Sequence, residues 1–300
     1  MATRTILVVG ATGQQGGEVI KALLNLKLAN IRILALTRNV DSPKAKALAE
    51  AHKGVVELVQ GDATDPEPLF ASREKGSVDS LFVVTSPGKV DEEKQAIPLI
   101  DAAVAHGVTH VVFTSVDRGG DEKSWSNPTG VKHFYQKHNI ELHLRDKAEK
   151  EGNFTWTILR PVAFLDNMNP GGFVAMFIAF WAASLSPATK LQLVSTRDIG
   201  LFAAKALADP SAWSGKAISL AGDELTLDEV RSVFRKVKGK DIPQSWAILA
   251  NLVLWAVGDV GLMFKFFEKE GYGADITALR EMEPSLQNFE TWLKESSKWE

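Results

Sequence analysis

Apolar, β-branched runs alternate with amphipathic stretches along the first 115 residues. Residues 5–9, 31–37, 55–60, 80–85 and 110–115 are near-continuously hydrophobic, the pattern of parallel strands buried on both faces. Between them, residues 16–28, 43–52, 66–72 and 92–107 carry apolar positions at helical spacing. This alternation predicts right-handed βαβ units in an α/β fold with a doubly wound parallel sheet. A sixth strand is predicted at 154–160, and later ones at 191–194 and 217–220.

The second half is patterned differently. All eight Trp and twelve of the fifteen Phe lie after residue 120. Two readings are open: helices packing on the sheet, or an aromatic-lined substrate pocket. The apolar stretch 173–185 is too short for a membrane span, which needs about 20 residues. The stretch 246–267 is interrupted by Asn251, Asp259 and Lys265 and by Gly258 and Gly261. Charges inside a span are expensive, so it reads as two buried or lid-forming helices broken near Gly258, and no membrane partner is expected.

A chain of 300 residues accommodates one large domain or two. The change in composition divides it into a nucleotide-type α/β domain, 1–160 with 191–222 returning to it, and a smaller, mostly helical domain, 161–190 and 223–300. There is no Cys, which excludes disulfides, thiolate catalysis and cysteine metal sites and suits a reducing cytoplasm. The net charge of −3 argues against a nucleic-acid partner. One short apolar run precedes the first glycines, so no secretory signal is read and a cytoplasmic location is expected.

The first strand runs into Gly10-Ala11-Thr12-Gly13-Gln14-Gln15-Gly16-Gly17, which opens the first predicted helix. Gly10 permits a sharp turn, Gly13 permits backbone to approach a pyrophosphate, and Gly16 permits the helix to sit close to the sheet. The helix then presents free N–H groups and its positive end to an anion. A strand before and a helix after meet the context that a dinucleotide-binding turn requires. The end of the second strand decides which dinucleotide. An NAD site wants an acid about 20 residues beyond the glycines. Here the sequence is Thr37-Arg38-Asn39, with Arg38 22 positions after Gly16. A guanidinium suits a 2′-phosphate, which favours NADP(H), and Lys44 and Lys46 add positive charge. Later strand ends carry Asp62, in Gly61-Asp62-Ala63-Thr64, and Thr85, in Thr85-Ser86-Pro87-Gly88; both read as cofactor contacts or as turn chemistry. Asp91-Glu92-Glu93 reads as acid at a helix start offsetting the dipole.

The stretch His133-Phe134-Tyr135-Gln136-Lys137 has helical character, and the partner one turn before Lys137 is His133. Tyr135 lies about 200° round the helix from Lys137 and shares no face with it. His133, His138 and His143, five residues apart, do not converge, so no metal site is read.

The turn GATGQQGG, the His-x-x-x-Lys-x-x-Ile-Glu helix (133–141) and the run TWTILRPVAFLDN (155–167) together resemble the NmrA-like family, atypical members of the short-chain dehydrogenase/reductase superfamily. STRDIG (195–200) and LAGDELTLDEV (220–230) are similar to its fungal branch, and the resemblance spans about residues 5–235. It implies a Rossmann-type fold preferring NADP(H), with a small C-terminal substrate domain. It implies cofactor contacts at Gly10, Thr12, Gly13, Gln14, Gln15, Gly16, Arg38, Asp62, Lys137, Pro161, Phe164 and Asn167. The superfamily pairs Lys with a Tyr four residues earlier, and that Tyr is absent here.

Candidate catalytic groups are therefore Lys137 as a ribose clamp, His133 as a general acid, and Ser115 as a substrate-orienting hydroxyl. Asp117 and Arg118 either bind substrate or cap a loop. The leading expectation is an NADP(H)-dependent oxidoreductase acting on a small apolar metabolite by hydride transfer to an iminium, enone or carbonyl group, including a step coupled to cyclisation, in fungal secondary metabolism. The alternatives are a cofactor-responsive redox sensor that regulates a protein partner, and a scaffold that pairs with a partner or a second copy.

Overall fold

The computed structural model of the chain describes residues 3–88 and 90–300. The described residues form ten strands: β1 (Arg4–Val8), β2 (Ile31–Thr37), β3 (Val56–Gln60), β4 (Ser80–Val84), β5 (His110–Thr114), β6 (Thr155–Pro161), β7 (Ala163–Phe164), β8 (Leu191–Val194), β9 (Lys216–Leu220) and β10 (Asp223–Leu225). The first helices are α1 (Gln14–Asn25), α2 (Pro43–Ala51), α3 (Glu67–Ala71), α4 (Glu92–Ala105), α5 (Asp121–Ser124), α6 (Lys132–Glu151) and α7 (Gly172–Ser184). They are followed by α8 (Thr196–Ala208), α9 (Pro210–Trp213), α10 (Leu227–Lys238), α11 (Ala247–Ala256), α12 (Gly258–Lys269), α13 (Ile276–Met282) and α14 (Phe289–Glu295).

Seven strands form one sheet in the order β3-β2-β1-β4-β5-β6-β9, and β1 to β6 pair in parallel. The order reverses between β1 and β4, so the doubly wound expectation holds. The strands are hydrophobic without alternation because both faces are covered: Ile6, Leu34, Leu81, Val111 and Ile158 are all buried. β8 does not join this sheet. It pairs parallel with β7 and antiparallel with β10 in a separate three-stranded sheet.

The chain divides into two compact units, and the borders differ from those drawn on composition. The first unit is Met1–Ser115, Gln136–Leu159 and Ile199–Ile218. The second is Val116–Tyr135, Arg160–Asp198 and Ser219–Glu300. The returning segment is therefore 199–218 rather than 191–222, because β8 is bound into the small sheet. Residues 116–135 belong with the second unit.

Within the first unit, α8 crosses close to α1. A Cβ on Gly200 would lie 2.6 Å from the Glu18 carbonyl carbon, so only glycine admits this approach.

The second unit has its own core, built from the aromatics concentrated there. Phe177, Phe180, Trp181, Phe264, Phe289 and Trp292 are buried, and Phe264 meets Phe180 and Phe267 edge-on at 5.8 and 5.3 Å. Most of the aromatics are thus the interior of this unit rather than a cover for the large sheet. The helix break falls at Val257–Gly258 as expected, and α11 and α12 bend by 107° there. Of the two readings, buried or lid-forming, burial does not hold for the outward residues of α11, which are exposed.

Candidate functional site

The glycine turn lies in the first unit at the carboxyl end of β1. Gly10 has φ +64°, and a Cβ on Gly16 would stand 2.3 Å from the Gly10 carbonyl oxygen. The first glycine makes the turn and the third lets α1 start against it. Gly13 is the N-cap of α1 in extended conformation, with no side-chain cap and no acid in the first turn. The amides of that turn are left to an incoming anion. Gln15, expected as a cofactor contact, accepts a hydrogen bond from the Thr114 hydroxyl at 2.7 Å.

A groove of about 690 Å³ runs from this turn along the ends of β2, β3 and β4. Gly10, Thr12, Gly13, Arg38, Asp62 and Ser86 line it, so the structure brings together motifs far apart in sequence. Arg38 is exposed and makes no ion pair among the described residues, whereas Lys46 is held by Asp41 at 3.0 Å. The Thr64 backbone N–H and hydroxyl, each 2.9 Å from Asp62, hold its carboxyl below the usual carboxylate range, and the positive charge of Arg38 adds to this. The groove therefore offers two anion sites, the helix start and the guanidinium, with a fixed carboxylate between strands.

Beyond the groove, α6 lies on α4 through polar pairs. Gln136 donates to Asp91 at 2.8 Å and accepts from the Glu92 backbone N–H, and Asn139 donates to Glu93 at 2.8 Å. Lys137 places its ammonium 2.6 Å from the Glu92 carboxylate and 2.7 Å from the Thr85 hydroxyl, which itself donates to Glu92. All three are buried. Glu92 is thus no mere dipole charge at a helix start: it is the buried counter-ion of Lys137. Thr85, expected as a cofactor contact, is turned to this pair. Ser115 donates to buried Glu141, four residues after Lys137 on α6. From the sequence, Glu92 is expected only to offset the helix dipole, and Glu141 only closes the His-x-x-x-Lys-x-x-Ile-Glu motif with no role assigned. The available signal was an acid at helical spacing from the lysine on α6, and a hydroxyl at the end of each of two neighbouring strands.

In the second unit, His133 meets Asp259 at 2.8 Å through Nδ1, and the same carboxylate accepts the Lys132 backbone N–H at 2.7 Å. Asp259 thus caps α6 and orients the imidazole. Asp117 takes the loop-capping alternative: it accepts the N–H groups of Gly119, Gly120 and Gly273, each at 2.9 Å, and the Ser219 hydroxyl at 2.5 Å. Arg118 is buried and donates to the carbonyls of Val116, Ser124 and Asn127. Both residues hold backbone. Pro161 ends β6, Phe164 ends β7, and Asn167 lies in the single 3₁₀ turn Leu165–Met168; all three fall in or at the edge of the second unit. His138 is buried and His143 meets Asp101 at 2.8 Å; no cluster of metal-binding side chains occurs among the described residues.

Comparison with known proteins bears on this arrangement. An NmrA-like family domain-containing oxidoreductase of Aspergillus hancockii is 27% identical over 90% of this chain and 84% of its own length. An NAD(P)H azoreductase of Xenophilus azovorans is 30% identical over 79% of this chain and 75% of its own. The crystal structure of the Citrobacter sp. triphenylmethane reductase, complexed with NADP(H), superposes with a TM-score of 0.70 at 22% identity, covering 97% of this chain and 99% of that one. The sequence profile of the NmrA-like family matches residues 2–296, and the chain belongs to the NmrA-like family.

Proposed function

We propose that this protein is an NADP(H)-dependent oxidoreductase of the atypical short-chain dehydrogenase type. Its substrate is a small, largely apolar metabolite, and its setting is a cytoplasmic tailoring step of secondary metabolism. The observation that carries the reading is the groove in the first unit, with a bare helix start at one end and an unpaired Arg38 at the other. The residues present fit the cofactor. A Cβ on Gly13 would press to 3.1 Å on the Gly10 carbonyl oxygen, so the turn admits no side chain there, and this uncapped start of α1 lines the groove with bare backbone. The amides of α1 hold the diphosphate, Arg38 selects the 2′-phosphate, Asp62 meets the adenosine, and Lys137 holds the nicotinamide ribose. The Aspergillus and Xenophilus relatives, named as an oxidoreductase and an NAD(P)H azoreductase, support the reaction class.

When bound, the cofactor supplies a hydride equivalent to an electrophilic carbon. The chain's own groups orient it. Within the first unit, the hydroxyls of Thr85 and Ser115 are both committed to carboxylates. Ser115 therefore accepts rather than donates toward a substrate, and neither of these two hydroxyls is placed to deliver a proton. An iminium carbon needs none, because hydride addition alone gives the neutral amine. Carbonyl and enone acceptors would draw their proton from water or from His133.

The test is purified protein with NADPH and a panel of cyclic iminium ions, enones, quinones and aldehydes, followed by loss of NADPH absorbance. Turnover of an iminium that disappears in Lys137→Ala supports the reading. No turnover, with NADP⁺ and NADPH bound at clearly different affinities, replaces it with a cofactor-responsive regulator of a protein partner. The absent superfamily Tyr is the observation favouring that second reading.

A further inference from the structure

The helix α11 is apolar apart from Asn251, yet one of its sides is covered by none of the described residues. Its inner face carries buried Ala250 and partly buried Val253 and Leu254, packed on the core of the second unit. Its outer face carries Ile248, Leu252 and Trp255 at i, i+4 and i+7, with Trp246 just before the helix start. Trp246, Ile248 and Trp255 are 83%, 85% and 82% exposed, and Leu252 is 56% exposed. No residue of α11 is charged. A contiguous exposed apolar patch of this kind marks an interaction surface.

Two features narrow the occupant. The outer stripe has a Trp at each end, the residue type that settles at the boundary of headgroups and acyl chains. Beside it, a groove of about 580 Å³ is lined by Trp255, Leu262, Lys265 and Lys269. Neither lysine has an ion pair among the described residues. The neighbouring acids are engaged elsewhere: Glu268 accepts from the Ser186 N–H and the Thr189 hydroxyl, and Glu270 pairs with Lys123. Glu268 lines the same groove, and those hydrogen bonds hold its carboxyl below the usual carboxylate range, so the rim carries two cations against one carboxylate. A second copy docked by two-fold symmetry would bring its own Lys265 and Lys269 to the same rim, like charge against like. A small apolar molecule would cover only part of a stripe about 15 Å long. An anionic lipid surface satisfies both the apolar stripe and the cations. No single helix is long and apolar enough to cross a membrane; α11 and α12 together pass the length and composition test only as a pair bent by 107°. Gly261 permits that bend, since a Cβ there would lie 2.8 Å from the Leu254 carbonyl oxygen.

We propose that the α11–α12 wedge is an interfacial anchor that lays Trp246, Ile248, Leu252 and Trp255 into the surface of an anionic bilayer, with Lys265 and Lys269 on the lipid phosphates. The site is independent of the cofactor groove and stands whether or not NADPH is turned over. The experiment uses the full chain with vesicles of phosphatidylcholine alone and of phosphatidylcholine and phosphatidylserine in equal parts. Co-sedimentation and the blue shift of Trp fluorescence are the readouts. The expected result is binding to the mixed vesicles, weakened by salt, and reduced at least about tenfold in Ile248→Glu/Leu252→Glu. That variant changes only exposed side chains, and unaltered thermal unfolding shows that it still folds. Lys265→Glu/Lys269→Glu is expected to lose the preference for phosphatidylserine. The proposal is overturned if neither vesicle binds, or if the charge-reversed variant keeps the preference. It is also overturned if sedimentation equilibrium shows a dimer that the Ile248→Glu/Leu252→Glu variant abolishes while vesicles are ignored.

Discussion

The ammonium of Lys137 lies 2.6 Å from the carboxylate of Glu92, and the Thr85 hydroxyl closes the triangle, 2.7 Å from the same ammonium. An ammonium has three N–H donors, and two are taken here. The third is engaged by neither, and the same ammonium stands 5.7 Å from the centre of the Phe113 ring. Pre-set orientation of this kind lowers the ordering a lysine must undergo on binding. The pair joins the start of α4 to α6 beside the Gln136–Asp91 and Asn139–Glu93 contacts, so the geometry of the candidate site is tied to the packing of the first unit.

The pair should behave as a buried ion pair. Glu92→Ala leaves an ammonium without its counter-ion in a closed environment and is expected to cost about 3–5 kcal/mol of stability by urea denaturation. Adding Lys137→Met in the same chain should recover much of that loss, since an uncharged side chain of similar length needs no counter-ion. If the two losses simply add, the residues are not coupled and Lys137 is held by something else.

Arg38 stands alone at the end of β2, without an ion pair among the described residues. Charge-assisted hydrogen bonds contribute about 1.5–3 kcal/mol each. Arg38→Ala is therefore expected to weaken NADPH binding by about 10–100-fold in calorimetry and to leave NADH binding nearly unchanged. Equal losses for both cofactors would show that Arg38 contributes general positive charge and no selection.

The parts of this protein that sequence made legible are those governed by local backbone chemistry. The glycine turn, Arg38 at the end of β2 and the six parallel strands follow from periodicity and from positions where a Cβ cannot fit. Glu92 and Glu141 were not legible. Their roles come from burial against another helix, and an acid at a helix start looks identical whether it faces solvent or a lysine. β8 was placed as a strand but not in its sheet, because four residues, three of them apolar and one Gln192, carry no record of their partners. The aromatics of the second half read as pocket or as sheet cover, and the structure makes most of them a separate core. Trp246 and Trp255 remain outside it, and their exposure is visible only once α11 has been laid on the core.

Gly16→Ala tests the turn itself. The added Cβ would lie 2.3 Å from the Gly10 carbonyl oxygen and 2.8 Å from that of Val9, both backbone atoms with no rotamer to yield. Overpacking of this kind costs about 1–3 kcal/mol, and the start of α1 must move away from the strand. NADPH affinity should fall together with thermal stability. A variant that unfolds normally and binds normally would show that α1 does not depend on this approach.

His110 sets an acid limit on the first unit. It lies buried at the start of β5, with Nδ1 2.8 Å from the Thr155 hydroxyl and Nε2 3.3 Å from that of Thr157. Burial, and secondarily the charge of Arg4, push its pKa down to about 4 from an ordinary value of 6.5. The unfolded chain then binds a proton that the folded chain refuses. Stability from this group is complete above about pH 6.5 and is lost as pH falls from there toward 4, by up to about 3 kcal/mol. Acidic groups such as Asp62, whose folded pKa is depressed, lose stability on acidification as well, at lower pH. The comparison must therefore be against a variant. His110→Asn keeps a polar side chain between the two threonines and cannot titrate. The urea midpoint of the natural chain should drop between pH 6.5 and 4 relative to this variant, and a constant difference across that window would rule the histidine out as the acid-sensitive group.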